Sequence, residues 1–306
     1  MTPQAELVVD ARCGVGESPV WHAGEQSLYW VDIPARVLCC WNTSSNKVTQ
    51  WQAPEMLACI APRDGGGWIA GMESGMFEVT PQTAGILDCK PLASVAHSQA
   101  GMRFNDGRCD RQGRFLAGTM VMDMALAARA GHVYRYAAPD DMADVIDGLI
   151  TPNGMAFSPD GRTMYLSDSH SSVQTIWAYD YDTLSGTPSN RRVFVDMNPL
   201  PGRPDGAAVD ADGCYWICGN DAGLVHRFTP QGELDYSLAV PVKKPAMCAF
   251  GGTRLDTLFV TTIRPEGIDL SDQPLAGGLF ALRPGVCGLP EQHCSFPASP
   301  VSVSNP

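Results

Sequence analysis

Short runs in which apolar and polar residues alternate fill most of this chain. Each run stops at a Gly, Pro or Asp, the signature of half-buried strands separated by tight turns. Tyr165-Leu166-Ser167 and Tyr215-Trp216-Ile217 are examples of strands that follow such turns. The pattern also repeats. A small-residue or Pro turn, an apolar strand, an Asp/Gly turn and a second, aromatic-rich strand recur as SPVWHAGEQSLYWVD from Ser18, ACIAPRDGGGWIAG from Ala58, FNDGRCDRQGRFLAGT from Phe104, PNGMAFSPDGRTMYLSD from Pro152, PDGAAVDADGCYWICG from Pro204 and PAMCAFGGTRLDTLFVT from Pro245. The copies start about 40 to 50 residues apart, the period of a four-stranded propeller blade. Asp64-Gly65, Asp160-Gly161 and Asp212-Gly213 supply the positive φ of the tight turns, and runs such as HVYRYA from His132 and TIWAYDYD from Thr175 supply outer strands.

The expected fold is therefore all-β, a six-bladed β-propeller of four-stranded blades that absorbs residues 1–306 as a single domain. Its irregular tail, Ser295 to Pro306, is expected to fray. An open ring would leave a sheet edge exposed, so the N-terminal strand Ala5 to Asp10 is expected to complete the last blade beside Gly278 to Arg283.

Composition narrows the partners. With 33 acidic and 21 basic residues the formal charge is −12, and the densest basic spots are pairs such as Arg191-Arg192 and Lys243-Lys244, so nucleic acid is not expected as a partner. No apolar run approaches the roughly 20 residues of a membrane-spanning helix, and a polybasic membrane anchor is absent. Glu6 and Asp10 stand where a secretory signal would be basic and apolar, which points to the cytoplasm. The 11 cysteines contain no CxxC pair. They read as reduced, buried small hydrophobes, and neither they nor the dispersed histidines form a zinc pattern.

Residues entering the innermost strand of each blade converge at one end of a propeller's central channel. At those positions stand Glu17, Asn105, Asn153 and Asp205. Two carboxylates and two amides are oxygen donors suited to one divalent cation, with Ca, Zn, Mn, Mg and Fe all compatible.

The motifs GESPVW at Gly16 to Trp21, RFNDGRCDRQGRFLAGTM at Arg103 to Met120, PNGMAFSPDGRTMYLSDS at Pro152 to Ser169, RPDGAAVDADGCYW at Arg203 to Trp216 and AFGG at Ala249 to Gly252 resemble the group containing regucalcin (SMP-30), gluconolactonase and luciferin-regenerating enzyme. That resemblance implies a metal bound by Glu17, Asn153 and Asp205, substrate contacts from Arg103 and Asn105, and hydrolysis of a sugar lactone. In relatives a Glu follows the GTM segment; the matching position here is Asp123, one methylene shorter, within the apolar stretch Val121 to Ala130.

A lactone is a cyclic ester, so its hydrolysis needs a polarised carbonyl, an activated water and a stabilised oxyanion. Asp205 is the candidate general base, and the planar fork of Arg103 suits substrate oxygens. No GxSxG nucleophile motif is present. Two alternatives share the site: hydrolysis of an organophosphate or other ester, and calcium binding without turnover. Arg103 and Asn105 favour a polyol lactone over both. The sequence leaves the sugar, the ring size and the oligomeric state open.

Overall fold

The computed structural model describes residues 4–295. They form six antiparallel sheets of four strands each. The innermost strands are Gly16–His22, Leu57–Pro62, Met102–Cys109, Pro152–Phe157, Arg203–Val209 and Pro245–Gly251. Each packs beside the next, and the last returns to the first, so the sheets are blades 1 to 6 of a closed ring. The protein is a six-bladed β-propeller, as its repeats predict. Among the described residues there is no α-helix, only a 3-10 turn at Met124–Leu126; no helix is long and apolar enough to cross a membrane.

Position in the blade explains strand composition. Inner strands are covered on both faces by neighbouring blades, and Leu57–Pro62 and Pro245–Gly251 are buried along their whole length. The outermost strand of blade 4, Thr187–Asp196, is polar and mostly exposed. Aromatic rings fill the gaps between blades: Trp21 stacks on Phe259 at 5.8 Å between blades 1 and 6, and Tyr165 meets Tyr215 at 5.0 Å between blades 4 and 5. At the predicted Asp-Gly turns, Gly65, Gly161 and Gly213 have φ of 87°, 72° and 83°. Nine of the cysteines are buried, with Cys89 half-buried and Cys287 exposed, and all are free thiols.

Two closures hold the ring. Glu6–Val9 pairs antiparallel with Leu279–Leu282, so the N-terminal strand becomes the fourth strand of blade 6. The second closure is a strap, residues 284–295, that crosses the end of the ring where the inner strands finish. Ala211 N donates to Cys287 O at 2.9 Å, Arg108 pairs with Glu291 at 3.2 Å, and Cys294 N donates to Pro62 O at 2.7 Å. Leu289, Pro290 and Glu291 thereby pack among Arg108, Phe157, Val209 and Phe250, which come from four different blades. Ser295, the start of the expected frayed tail, is tied by its N–H to Gly113 O at 3.0 Å; positions 296–306 lie outside the described residues.

Candidate active site at one end of the ring

Every inner strand begins at the end of the ring opposite the strap, and every one is interrupted there. The antiparallel register slips by one residue between Glu17 and Val20, Phe104 and Gly107, Asn153 and Ala156, and Pro204 and Ala207. A bulge of this kind twists the strand and re-aims the side chains at its edge. Glu17 and Asn153 each stand just before the slip, and Asn105 and Asp205 stand within it. Asp205 is thus one step further along its ladder than Glu17 and Asn153, although the motifs align all three. The backbone after Glu17 and Asn153 is left-handed, with φ of 48° at Ser18 and 61° at Gly154. Gly154 has a further reason to be glycine: a Cβ there would lie 2.5 Å from the Tyr215 hydroxyl, which donates to Gly154 O at 2.7 Å and ties blade 5 to blade 4.

A second set of residues fixes the approach to these bulges. At the end of the second strand of blades 1 and 4, Asp32 and Asp168 accept from the backbone N–H groups of the incoming loops: Gly14 and Val15 at 3.0 and 3.1 Å, Ile150 and Thr151 at 2.8 and 3.0 Å. In blade 5 the same ladder position, opposite Arg203, is Asn220. Its amide turns inward instead and donates to Asp205 Oδ2 at 2.6 Å. Sequence motifs do not single out Asn220; the signal for it is its place across the ladder, which is legible only once the bulge is located.

Hydrogen bonds set the direction of both amides. Arg103 Nη1 donates to Phe104 O at 2.6 Å and to Asn105 Oδ1 at 2.8 Å. Asn105 Nδ2 donates to Pro152 O at 2.9 Å and Asn153 Oδ1 at 3.0 Å, while Asn153 Nδ2 donates to Ser169 Oγ at 2.7 Å. The chain of donors runs one way, so Asn153 keeps an oxygen lone pair free for a further partner. Asp123 stands apart from this group. It is exposed and caps the 3-10 turn, its Oδ1 accepting from Ala125 N at 3.1 Å. The turn is anchored to blade 4 by a hydrogen bond between His170 Nε2 and Met124 O at 3.1 Å.

The electrostatics of the site favour a cation. Glu17, Asn153 and Asp205 are buried. Lost hydration pushes the Glu17 carboxyl well above its usual range, and the neighbouring Asp205 and Asp106 push it further. Burial raises Asp205 to about 7 despite the hydrogen bond from Asn220. Asp106 uses Oδ2 to accept from Met155 N at 2.7 Å, leaving Oδ1 buried without a hydrogen-bond partner. Burial also lowers Arg103 to about 10, partly offset by Glu17, so it stays charged at neutral pH. Arg103 faces Glu17 and Arg203 faces Asp205, yet burial keeps both carboxyls raised. Among the described residues no three His, Cys, Asp or Glu side chains gather to hold a metal ion. The donor set of Glu17, Asn153 and Asp205 has two carboxylates and completes itself with an amide oxygen, a combination that fits a hard divalent ion.

This crowding predicts a pH dependence. A carboxyl whose folded pKa is raised binds its proton more tightly in the native than in the unfolded state, so stability falls as pH rises from about 4 through the folded value near 7. The metal-free protein should melt several degrees lower at pH 8 than at pH 5.5, and a divalent cation should raise the melting temperature more at pH 8 than at pH 5.5. Thermal melts with and without calcium test this. Equal calcium-induced shifts at the two pH values would exclude these carboxylates as the cation's ligands.

Comparison with known proteins finds relatives over nearly the whole chain. The model of the SMP-30/Gluconolactonase/LRE-like region matches residues 15–264. The chain is similar to 6-deoxy-6-sulfogluconolactonase of Pseudomonas putida, with 38% identity covering 95% of this chain and 98% of that protein. It is similar to regucalcin of Sus scrofa, with 34% identity covering 93% and 96%. Among solved structures, a calcium-binding protein, regucalcin, from Agrobacterium tumefaciens superposes with a TM-score of 0.87 at 26% identity, covering 96% of this chain and 98% of that one.

Proposed function

This chain belongs to the SMP-30/gluconolactonase/LRE-like family, and from that premise we propose that it is a lactonase that hydrolyses a sugar lactone to the corresponding sugar acid with one divalent cation bound. The observation that carries this reading is the one-way chain Arg103, Asn105, Asn153 beside two buried carboxylates of raised pKa. The Arg103–Asn105 arm is hydrogen-bonded to Asn153, and the mutual repulsion of Glu17, Asp205 and Asp106 supports a cation centre beside it.

Glu17, Asn153 and Asp205 would hold the cation. When bound, it supplies polarisation of the lactone carbonyl and a lowered pKa for water. Arg103 presents donors to ring or hydroxyl oxygens and, being largely desolvated, holds them more strongly than a surface arginine would. Asn105 fixes the guanidinium and is the second proposed substrate contact. Asp123, on the loop above, is the third proposed substrate contact. Asp205 accepts the proton of the attacking water; Asn220 grips its Oδ2, so Oδ1 is the oxygen left to take that proton. The same proton then returns to the leaving ring oxygen as the carbonyl–oxygen bond breaks, which regenerates the carboxylate and releases the hydroxy acid.

The test is a panel of five- and six-membered aldonolactones offered to metal-stripped protein and to protein reloaded with Ca, Zn, Mn, Mg or Fe. Rates are corrected for spontaneous opening. Turnover that appears on reloading and disappears with chelator is expected. If no lactone opens above background with any of the five ions, the proposal fails.

A further inference from the structure

At the same end of the ring, two cations share one carboxylate. Arg203 opens the inner strand of blade 5, and Lys244 immediately precedes that of blade 6. Arg203 Nε pairs with Asp221 Oδ2 at 2.7 Å, and Lys244 pairs with the other oxygen of Asp221. Both also donate to the side-chain oxygen Asn220 Oδ1, Arg203 Nη2 at 3.4 Å and Lys244 Nζ at 3.5 Å. Asn220 in turn holds Asp205. The cationic pair is therefore separated from the proposed general base by a single side chain.

The charges here do not cancel. Arg203 also acts electrostatically on the Asp205 carboxylate; once a divalent cation takes up Asp205, the two cations face Asp221 alone, one net positive charge on a protein whose overall charge is −12. The pair is also withdrawn from solvent, with side-chain exposures of 26% for Arg203 and 24% for Lys244. A partly desolvated, uncompensated cation is unfavourable unless an anion meets it. Elsewhere Arg254 and Arg283 also share one carboxylate, that of Asp256, but their side chains are 81% and 72% exposed, where water compensates the extra charge. Arg203 and Lys244, about a quarter exposed, have much less of that outlet.

Their placement says what the anion is attached to. In a ring of six, blade 6 stands opposite blade 3, which carries Arg103 and Asn105. A lactone gripped by Arg103 on one side would extend its far substituents toward blades 5 and 6. We propose that the preferred substrate is a sugar lactone carrying a second, anionic substituent away from the lactone carbonyl, such as a sulfonate, phosphate or carboxylate, and that Arg203 and Lys244 receive it. The inference rests on the lactonase reading and deepens it. A guanidinium fork and an ammonium side by side suit a multi-oxygen anion, and a local positive field at the mouth of an acidic protein steers anions to it.

The test compares kcat/KM for glucono-1,5-lactone with that for lactones bearing sulfonate, phosphate or carboxylate on the exocyclic carbon, using the metal-loaded wild-type protein. An anionic lactone should be preferred at least about tenfold at low ionic strength, with the preference shrinking as salt rises. Lys244→Met keeps the aliphatic stem and should collapse the preference toward one, chiefly through KM. Asp221→Asn removes the competing carboxylate at a position where Asn suits the left-handed backbone, φ 77°, and should enlarge it. The opposite directions of the two variants guard against a mere folding defect. A wild-type protein that prefers the neutral lactone, or a preference unmoved in both variants, would overturn this inference and leave the lactonase reading intact. Failure to open either class would overturn the lactonase reading itself.

Discussion

Asp205→Ala is expected to lose about a thousandfold in kcat at saturating divalent cation, in the range set by removing a positioned general base, while Arg103→Ala keeps most of its kcat and shows a higher KM. The contrast follows from where each side chain acts. Asp205 borders the proposed cation site and has one oxygen immobilised by Asn220, so its other oxygen is positioned to take the proton of the attacking water. Excess cation restores the missing ligand's share of affinity but not the missing proton acceptor. In the proposed reading Arg103 holds substrate oxygens in the ground and transition states alike, and loss of such uniform binding appears in KM. Metal content measured alongside the kinetics separates the two effects. Wild-type kcat in metal-saturated Asp205→Ala would remove Asp205 from the chemistry.

Glu17→Gln is expected to act in two opposite directions. Cation affinity should fall by at least about a hundredfold, because the ligand set keeps its size and loses one of its two negative charges. The metal-free protein should become more stable at pH 8, since the charge being removed is buried and disfavoured by Asp205 and Asp106. A gain of even about 1 kcal/mol would raise the melting temperature by roughly 2 °C in a protein of this size. Calorimetric titration with calcium and a thermal melt of the stripped protein give both quantities. Unchanged affinity would refute the ligand assignment; lower apo stability would mean that Glu17 is held by bonds rather than strained by repulsion.

The fold was legible because its information is local. The Asp-Gly turns, the alternation and the period all lie within single copies of the repeat, and the pairing of Glu6–Val9 with Leu279–Leu282 follows from the need to close a ring. The positions of Glu17, Asn105, Asn153 and Asp205 were legible for the same reason, since each sits at the bulge of its own copy. What eluded the sequence depends on contacts between copies or on irregular chain. Asn220 looks like any strand-end residue, and its role appears only because blade 5 places it where blades 1 and 4 place Asp32 and Asp168. Asp123 is expected from the family resemblance to contact substrate, and one of its oxygens caps the adjoining turn. Residues 284–295 have no periodic pattern, and their course across the ring is fixed by scattered bonds such as Arg108 to Glu291.

That strap has a bearing on traffic. Leu289 to Glu291 pack against the inner strands of blades 3 to 6 at the end away from Glu17 and Asp205, so the strap obstructs the tunnel expected of a propeller on that side. A reactant and its product then share one doorway and must pass through it in turn, with no flow from front to back. In the proposed reaction ring opening would add a carboxylate on the Arg103 side, while Arg203 and Lys244 still hold the anionic substituent on the other. The departing acid is therefore more strongly drawn to the threshold than the arriving lactone, and how quickly it lets go becomes part of the pace of the whole cycle.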